Sequence, residues 1–159
     1  MNLNHIEEMP QLIRQATADE IATIVELKLR MFEEAGIKHY LKAEASAEIH
    51  ATYAEMYRNL LAIHFVLEEE GSIVACAGAF LKSDIPYCFY ETDCYGFIGD
   101  VYVMPEYRNR GYARRLTEEA ISWLQAGGVK TIRLLASPAG RHLYETMGFK
   151  PTHEMELKL

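Results

Sequence analysis

The sequence predicts an α+β domain with elements in the order β-α-α-β-β-β-α-β-α-β and room for one more strand at the end: six to seven strands and about four helices. Three observations carry this. Apolar residues recur at helical spacing in two segments of the N-terminal third. Two apolar runs flank Glu69-Glu70-Gly71-Ser72, which reads as the turn of an antiparallel hairpin. A further run, Phe97 to Met104, ends in a basic, glycine-containing turn that opens a helix.

At 159 residues, half hydrophobic and a quarter charged, the chain reads as one domain spanning 1–159 with a core of its own. Met1 to Pro10 is polar and acidic, unlike a secretory leader, and is expected to be a flexible or peripheral arm. No run approaches the roughly 18 apolar residues of a membrane span, so no membrane partner is expected. A net charge of −7 argues against nucleic acid and toward cationic ligands. Cys76, Cys88 and Cys94 are an odd set with no paired spacing, which points to free thiols in a reducing cytoplasm. Cys88 and Cys94 lack a second Cys or His pair at zinc-ligand spacing, so no metal is expected.

The first strand is Leu12 to Ala16. Thr17-Ala18-Asp19-Glu20 has the form of a capping box. The helix it opens places Ile21, Ile24, Val25, Lys28 and Phe32 on one side, a core stripe with a lysine in it, and Gly36 ends it. A second helix runs from about Ala45 to Leu61. Ile49, Tyr53, Met56 and Leu60 are its packing residues, and Tyr53 or Tyr57 could instead line a pocket. Phe65 to Leu67 and Ile73 to Leu81 are the hairpin strands; Lys82 to Asp93, with Pro86, is a loop. The fourth strand covers about Cys94 to Val103, and the helix after the basic turn stops at Gly127-Gly128. Thr131 to Ala136 is a fifth strand. Ser137-Pro138 reads as a cap with proline at the first helical position, and Gly148 ends that short helix. Phe149 to Leu159 is expected to add one or two strands.

The basic turn holds the chemistry. Arg108, Arg110, Arg114 and Arg115 lie within eight residues of an acidic protein. A helix start offers unpaired N–H groups and the positive end of the helix dipole, a place for phosphate. Neither G-x-x-x-x-G-K-[ST] nor G-x-G-x-x-G is present, which argues against P-loop and dinucleotide folds. Arg108-x-x-Gly111-x-Ala113 is present instead. Gly111 lets backbone approach a ligand, and N–H groups from Asn109 through Gly111, Tyr112 and Ala113 to Arg114 could surround a pyrophosphate.

Val103-Met104-Pro105-Glu106-Tyr107 followed by that turn resembles the GNAT family of acetyl-CoA-dependent N-acetyltransferases. So does Ser137 to Phe149, with Leu143-Tyr144-Glu145 ahead of Gly148-Phe149. Both motifs come in the family's order; upstream of residue 94 the resemblance is one of topology. It implies a mixed, mostly antiparallel twisted sheet in an α/β/α-like sandwich, with the fourth strand splayed from the fifth. It also implies acetyl-CoA as co-substrate. Val101 and Val103 would pair with the pantetheine arm, the turn from Arg108 to Arg114 would hold the pyrophosphate, and some of the arginines would meet the 3′-phosphate. Tyr144 would be the acid that protonates the leaving thiolate. Asp100, Asp84, Glu91 and Asp93 are carboxylates that could take the amine's proton, with Asp100 placed best on the fourth strand; His64, His142 and His153 are weaker candidates. The acceptor would be the amine of a small molecule or a peptide, with the acidic loop favouring a cationic small molecule. A homodimer is compatible with this fold. The competing reading is a non-catalytic module that binds CoA or a partner.

Overall fold

The computed structural model of the chain describes residues 12–85 and 93–159, so the expected N-terminal arm, Cys88 and Glu91 lie outside the described residues. Five strands form one sheet in the order β1-β2-β3-β4-β5: β1 (Leu12–Gln15), β2 (Ala62–Glu69), β3 (Ser72–Ser83), β4 (Cys94–Val103) and β5 (Ile132–Leu134). Neighbours are antiparallel except β4 and β5, which run parallel. The helices are α1 (Ile21–Glu34), α2 (Ala45–Arg58), α3 (Tyr112–Ala126) and α4 (Arg141–Thr146).

Local sequence explains the starts and stops. Glu20 accepts a hydrogen bond from the Thr17 amide at 2.8 Å, the reach-back half of the capping box, and its carboxylate also pairs with Arg14 at 2.6 Å. Arg14 in turn meets Glu68 at 2.9 Å, which ties the start of α1 to β1 and β2. The hairpin of β2 and β3 turns through Glu70 and Gly71, both at positive φ, as the central residues of a type I′ turn are.

The sheet separates two apolar layers. On one face α3 buries Leu116, Ala120 and Leu124 against Leu67, Ala75, Ala77 and Ile98. On the other, α1 and α2 bury Ile21, Ile24, Val25 and Tyr53 against Val66, Cys76, Phe80 and Tyr102. The strand alternation that sends neighbouring residues to opposite faces accounts for this division.

The α+β class and the mixed, mostly antiparallel sheet are those the sequence predicts, but the strand count differs. Five strands form among the described residues rather than six to seven, and residues 149–159 form none. Residues 150–159 are exposed throughout, and Pro151 brings no N–H to start a ladder. Met155, Leu157 and Leu159 keep a strand's alternation, but they face solvent. The last helix also starts later than expected: Ser137 accepts from the Gly140 amide through its hydroxyl at 3.2 Å, and the helix proper begins at Arg141.

Candidate active site

Beside β4 the sheet opens. The parallel pairing of β4 with β5 covers Gly96 with Ile132, Phe97 with Arg133 and Ile98 with Leu134, and then stops. Leu135, just past the last pair, is 87% exposed. The rest of β4 stays paired on its other side, to β3. There Cys76 stands opposite Tyr102 and Gly78 opposite Gly99, so Ala77 faces two residues, Asp100 and Val101. That is a β-bulge, which bends a strand and re-aims its groups. Asp100 has φ +55, a left-handed conformation uncommon outside glycine. The Met104 amide donates to Val74 on β3. By alternation, Val101 and Val103 direct their backbone groups to the other edge, toward the gap.

Next to the gap, the turn leading into α3 winds through Asn109 at φ +62 and Gly111 at φ +79. Left-handed residues beside right-handed ones turn successive amides to one side, a concavity suited to an anion. A Cβ on Gly111 would meet nothing within 4 Å, so glycine is needed there for its φ and for the open space above it.

The arginines of this turn are engaged with the protein. Arg108 donates from Nε to the Val103 carbonyl at 2.8 Å and pairs with Glu34, at the end of α1, at 2.6 Å. Arg110 meets Glu69 at 3.1 Å, and the Tyr112 hydroxyl donates to the other oxygen of Glu69 at 2.9 Å. Arg114 donates to the Thr146 hydroxyl on α4 at 2.6 Å, spanning from α3 to α4. Carboxylates at two corners of the fold therefore hold the turn in shape.

Tyr144 lies on α4 with 9% of its surface exposed, its ring set edge-on to Phe149 at 5.9 Å between centroids. Burial raises its phenol above the ordinary value, so it keeps its proton. A cavity of about 940 Å³ lies between β5, α4 and residues 149–156, and Tyr144 lines it with Leu134, Ala136 and Phe149. The cavity reaches neither Asp100 nor Gly111.

On the α1 and α2 face of the sheet, Asp100 is 5% exposed and stands at the centre of a polar cluster. Its Oδ1 accepts from the Lys28 ammonium of α1. Its Oδ2 accepts from the Tyr53 hydroxyl of α2 and lies 2.8 Å from Nε2 of His64 on β2. Its backbone oxygen accepts from the Cys76 thiol at 3.2 Å. Tyr57 continues the chain: its oxygen accepts from the His64 amide at 3.1 Å and lies 2.8 Å from His64 Nδ1. A phenol that accepts there can donate its own proton to Nδ1, which leaves the proton of a neutral imidazole on Nε2, facing Asp100. Gly78 makes the room, since a Cβ there would stand 2.9 Å from His64 Nε2.

Electrostatics follow from this geometry. Burial alone would raise the Asp100 carboxyl, but the hydrogen bonds from His64 and Lys28 and the Lys28 charge outweigh it and hold Asp100 well below the usual carboxylate range. Burial and the neighbouring Asp100 charge push the Tyr53 phenol far up. Asp100 is therefore ionised, with both oxygens occupied.

The sequence-predicted residues thus fall in three places. Val101, Val103 and the turn from Arg108 to Arg114 gather at the gap; Tyr144 lines the neighbouring cavity; Asp100 faces the other side of the sheet. Asp84, whose amide donates to the Asp93 carbonyl, lies in the loop after β3. His142 and His153 are exposed. Of the cluster around Asp100, sequence reasoning singles out Lys28 as the odd residue on a core stripe, and Tyr53, Tyr57 and His64 as minor candidates. The combination is missed. Its signal is a set of polar groups at apolar positions: a lysine on a buried helix face, a histidine in an apolar strand and an aspartate in another.

Comparison with known proteins bears on the whole chain. "Amino-acid acetyltransferase" of Ectopseudomonas mendocina (strain ymp) is 27% identical over 146 residues, 92% of this chain but 29% of that protein, so the chain spans under a third of the length of the curated relative. A predicted acetyltransferase with acetyl-CoA from Clostridium acetobutylicum superposes with a TM-score of 0.86 at 25% identity, covering 94% of this chain and 96% of the other. A GCN5-related N-acetyltransferase from Ralstonia eutropha JMP134 does so with a TM-score of 0.80 at 25% identity, covering 94% and 99%. The sequence profile of the acetyltransferase (GNAT) family matches residues 22–149, which carry the hairpin, the bulged strand, the turn at Gly111 and the helix of Tyr144, and the chain belongs to that family.

Proposed function

We propose that the protein transfers an acetyl group from acetyl-CoA to a primary amine by direct attack. The observation that carries the reading is the end of β4–β5 pairing at Ile98 and Leu134, immediately before the bulge and beside the left-handed turn at Gly111. An unpaired strand edge suits an amide-bearing arm, and a concavity of amides suits a pyrophosphate. The backbone of Val101 and Val103 would meet the arm. Arg108 already covers the Val103 carbonyl, so the arm has either to meet Val101 alone or to displace that bond. Asn109 to Arg114 would hold the pyrophosphate through backbone N–H groups, with Arg108 and Arg110 keeping the turn in shape.

In the reaction the neutral amine nitrogen attacks the thioester carbonyl. The C–N bond forms, the C–S bond breaks, and the amine loses one proton. The Val101 N–H is the proposed donor to the tetrahedral oxyanion. Tyr144 gives its phenolic proton to the leaving thiolate and regains one from solvent. Asp100 is a poor acceptor for the amine's proton, because Lys28, Tyr53 and His64 already occupy its oxygens. The proton passes to water instead, and Asp100 acts on catalysis through position.

The acceptor in this reading is a small molecule with a primary amine. The overall negative charge supports a cationic one, and the name of the curated relatives supports including amino acids. The odd number of cysteines supports a reducing, cytoplasmic setting. An amine library of amino acids, polyamines, amino sugars and peptides, read by release of CoA thiol, tests it. Acetyl-CoA binding with no thioester consumed by any amine would leave the non-catalytic module instead.

A further inference from the structure

Asp100 presents a physical puzzle. A carboxylate stands 5% exposed in an apolar sheet, in a left-handed conformation, at a bulge position where glycine is common. Burial of charge and backbone strain both oppose that arrangement. Donors from three different elements meet it: Lys28 from α1, Tyr53 from α2 and His64 from β2. Tyr57 fixes the histidine from behind, and Cys76 on β3 binds the Asp100 carbonyl. Every element packed on this face therefore grips the one residue whose conformation makes the bulge.

We propose that Lys28, Tyr53 and His64 are positioning residues that hold the β4 bulge by clamping Asp100, and so aim the Val101 N–H into the gap. The inference rests on the acyl-transfer reading for what Val101 does, but the clamp itself is independent of it. Asp100 and Val101 share one partner, Ala77, so fixing the first fixes the peptide joining it to the second. That peptide carries the Val101 N–H. Lys28 also supplies the positive charge that lets the carboxylate remain ionised. Its ammonium lies 5.1 Å from the Phe32 ring centre and 5.7 Å from that of Tyr53, so aromatic faces hold the cation in place.

The clamp acts as a charge-balanced unit, and that gives the test. Lys28→Met keeps the length of the side chain and removes its charge. Asp100→Asn keeps a residue tolerant of left-handed φ and still accepts from Tyr53 and His64. Each alone leaves one charge without its partner; together they restore neutrality. Amide NMR spectra of the unliganded protein are expected to show the Asp100, Val101 and Tyr102 signals displaced in Lys28→Met, with those of Gly111 and α3 in place. In Lys28→Met/Asp100→Asn the Val101 and Tyr102 signals return toward wild type. With acetyl-CoA and an amine found in the screen, kcat is expected to fall about 10- to 100-fold in each single variant, with KM for acetyl-CoA within about threefold and partial recovery in the double variant. Unmoved Val101 signals in a folded Lys28→Met would overturn the clamp, as would a double variant displaced as far as the two singles combined. Should Lys28→Met fail to fold, Tyr53→Phe removes one hydroxyl and is read the same way. Displaced and restored Val101 signals in a protein that no amine activates would keep the clamp and sink the acyl-transfer reading.

Discussion

Asp100 stands near the C-terminal end of β4 and the turn at Gly111 follows that same end, yet the two sites are built on opposite plans. The turn offers backbone. Its side chains are turned away into Glu34, Glu69 and Thr146, and what it presents is a row of amides shaped by two left-handed residues. The cluster offers side chains. Lys28, Tyr53 and His64 reach Asp100 from three other elements, and the backbone the cluster controls lies a residue away at Val101. A backbone site needs only a local pattern, a short motif in one loop. A side-chain site needs residues 28, 53, 64 and 100 brought together by the whole fold. Damage should differ accordingly: the turn can lose its ligand and keep the fold, whereas the cluster loses stability first.

The largest expected effect is at the cluster. Asp100→Leu leaves Lys28 and His64 facing an apolar group, and breaking a buried pair on one side costs about 3–5 kcal/mol. Urea unfolding should show it, and a loss under 1 kcal/mol would mean that water reaches the site. The pH dependence has a definite sign. The folded Asp100 is held below its unfolded value, so its contribution is complete above about pH 4 and is lost as pH falls through the lower folded value. Wild-type stability should therefore hold through the mildly acidic range, with the Asp100 share going only at strongly acid pH.

The turn should respond in the opposite manner. Gly111→Glu puts a side chain at φ +79, at a strain cost of about 1–2 kcal/mol, into space that nothing in the protein fills. Acetyl-CoA affinity should drop at least about 100-fold by calorimetry, some 2.7 kcal/mol, while the protein stays folded. Unchanged affinity would remove the turn from the donor site. Arg110→Gln should do far less, about threefold, because that side chain points to Glu69 and an exposed pair is worth little. A 100-fold loss there would mean that the guanidinium leaves Glu69 for a phosphate.

Legibility in the sequence follows the same division. The hairpin at Glu70-Gly71, the helix ends near Gly36, Gly128 and Gly148 and the turn at Gly111 are encoded by neighbouring residues, and each is where the sequence predicts it. The arginine pattern is legible as charge but not as direction. Nothing local says that Arg108 reaches back to Glu34, 74 residues away, rather than outward. The final strand is a failure of another kind: alternation from Met155 to Leu159 is a strand signal, yet a strand exists only where an edge pairs with it. For Asp100, the sequence places a carboxylate on the fourth strand but not the three donors that occupy it. Lys28 is visible as an exception on an apolar stripe, and only the fold says which anion it meets.

Tyr144 belongs to neither plan, being one side chain on a short helix beside a cavity. Tyr144→Phe is expected to lower kcat by about 10- to 100-fold with acetyl-CoA affinity within about twofold, if the phenol donates to the thiolate. Because burial raises that phenol, its ionisation would cut kcat only above the ordinary value near pH 10, and the alkaline limb should vanish in the variant. An unchanged kcat would leave Tyr144 as a packing partner of Phe149.

The smallest effect is the one that joins the two regions. Glu34, at the end of α1, accepts from the Tyr102 hydroxyl of β4 at 2.5 Å and from Arg108 of the turn at 2.6 Å. The Tyr102 bond and then the Arg108 bond hold its carboxyl below the usual glutamate range. Glu34→Gln keeps a group able to accept from one partner and removes the charge that orients Arg108. Since the pair is half exposed, acetyl-CoA affinity should fall only about two- to threefold. The sign of the pH effect is fixed. Glu34 stays ionised in the folded protein below the value of a free glutamate, so wild-type and variant affinities should differ by a constant factor from neutral pH down to about pH 5 and converge only in stronger acid. Convergence already near neutrality would place a different titrating group in control of the turn. A loss as large as that of Gly111→Glu would mean that the turn owes its shape to the α1 face, and that donor site and clamp are one device rather than two.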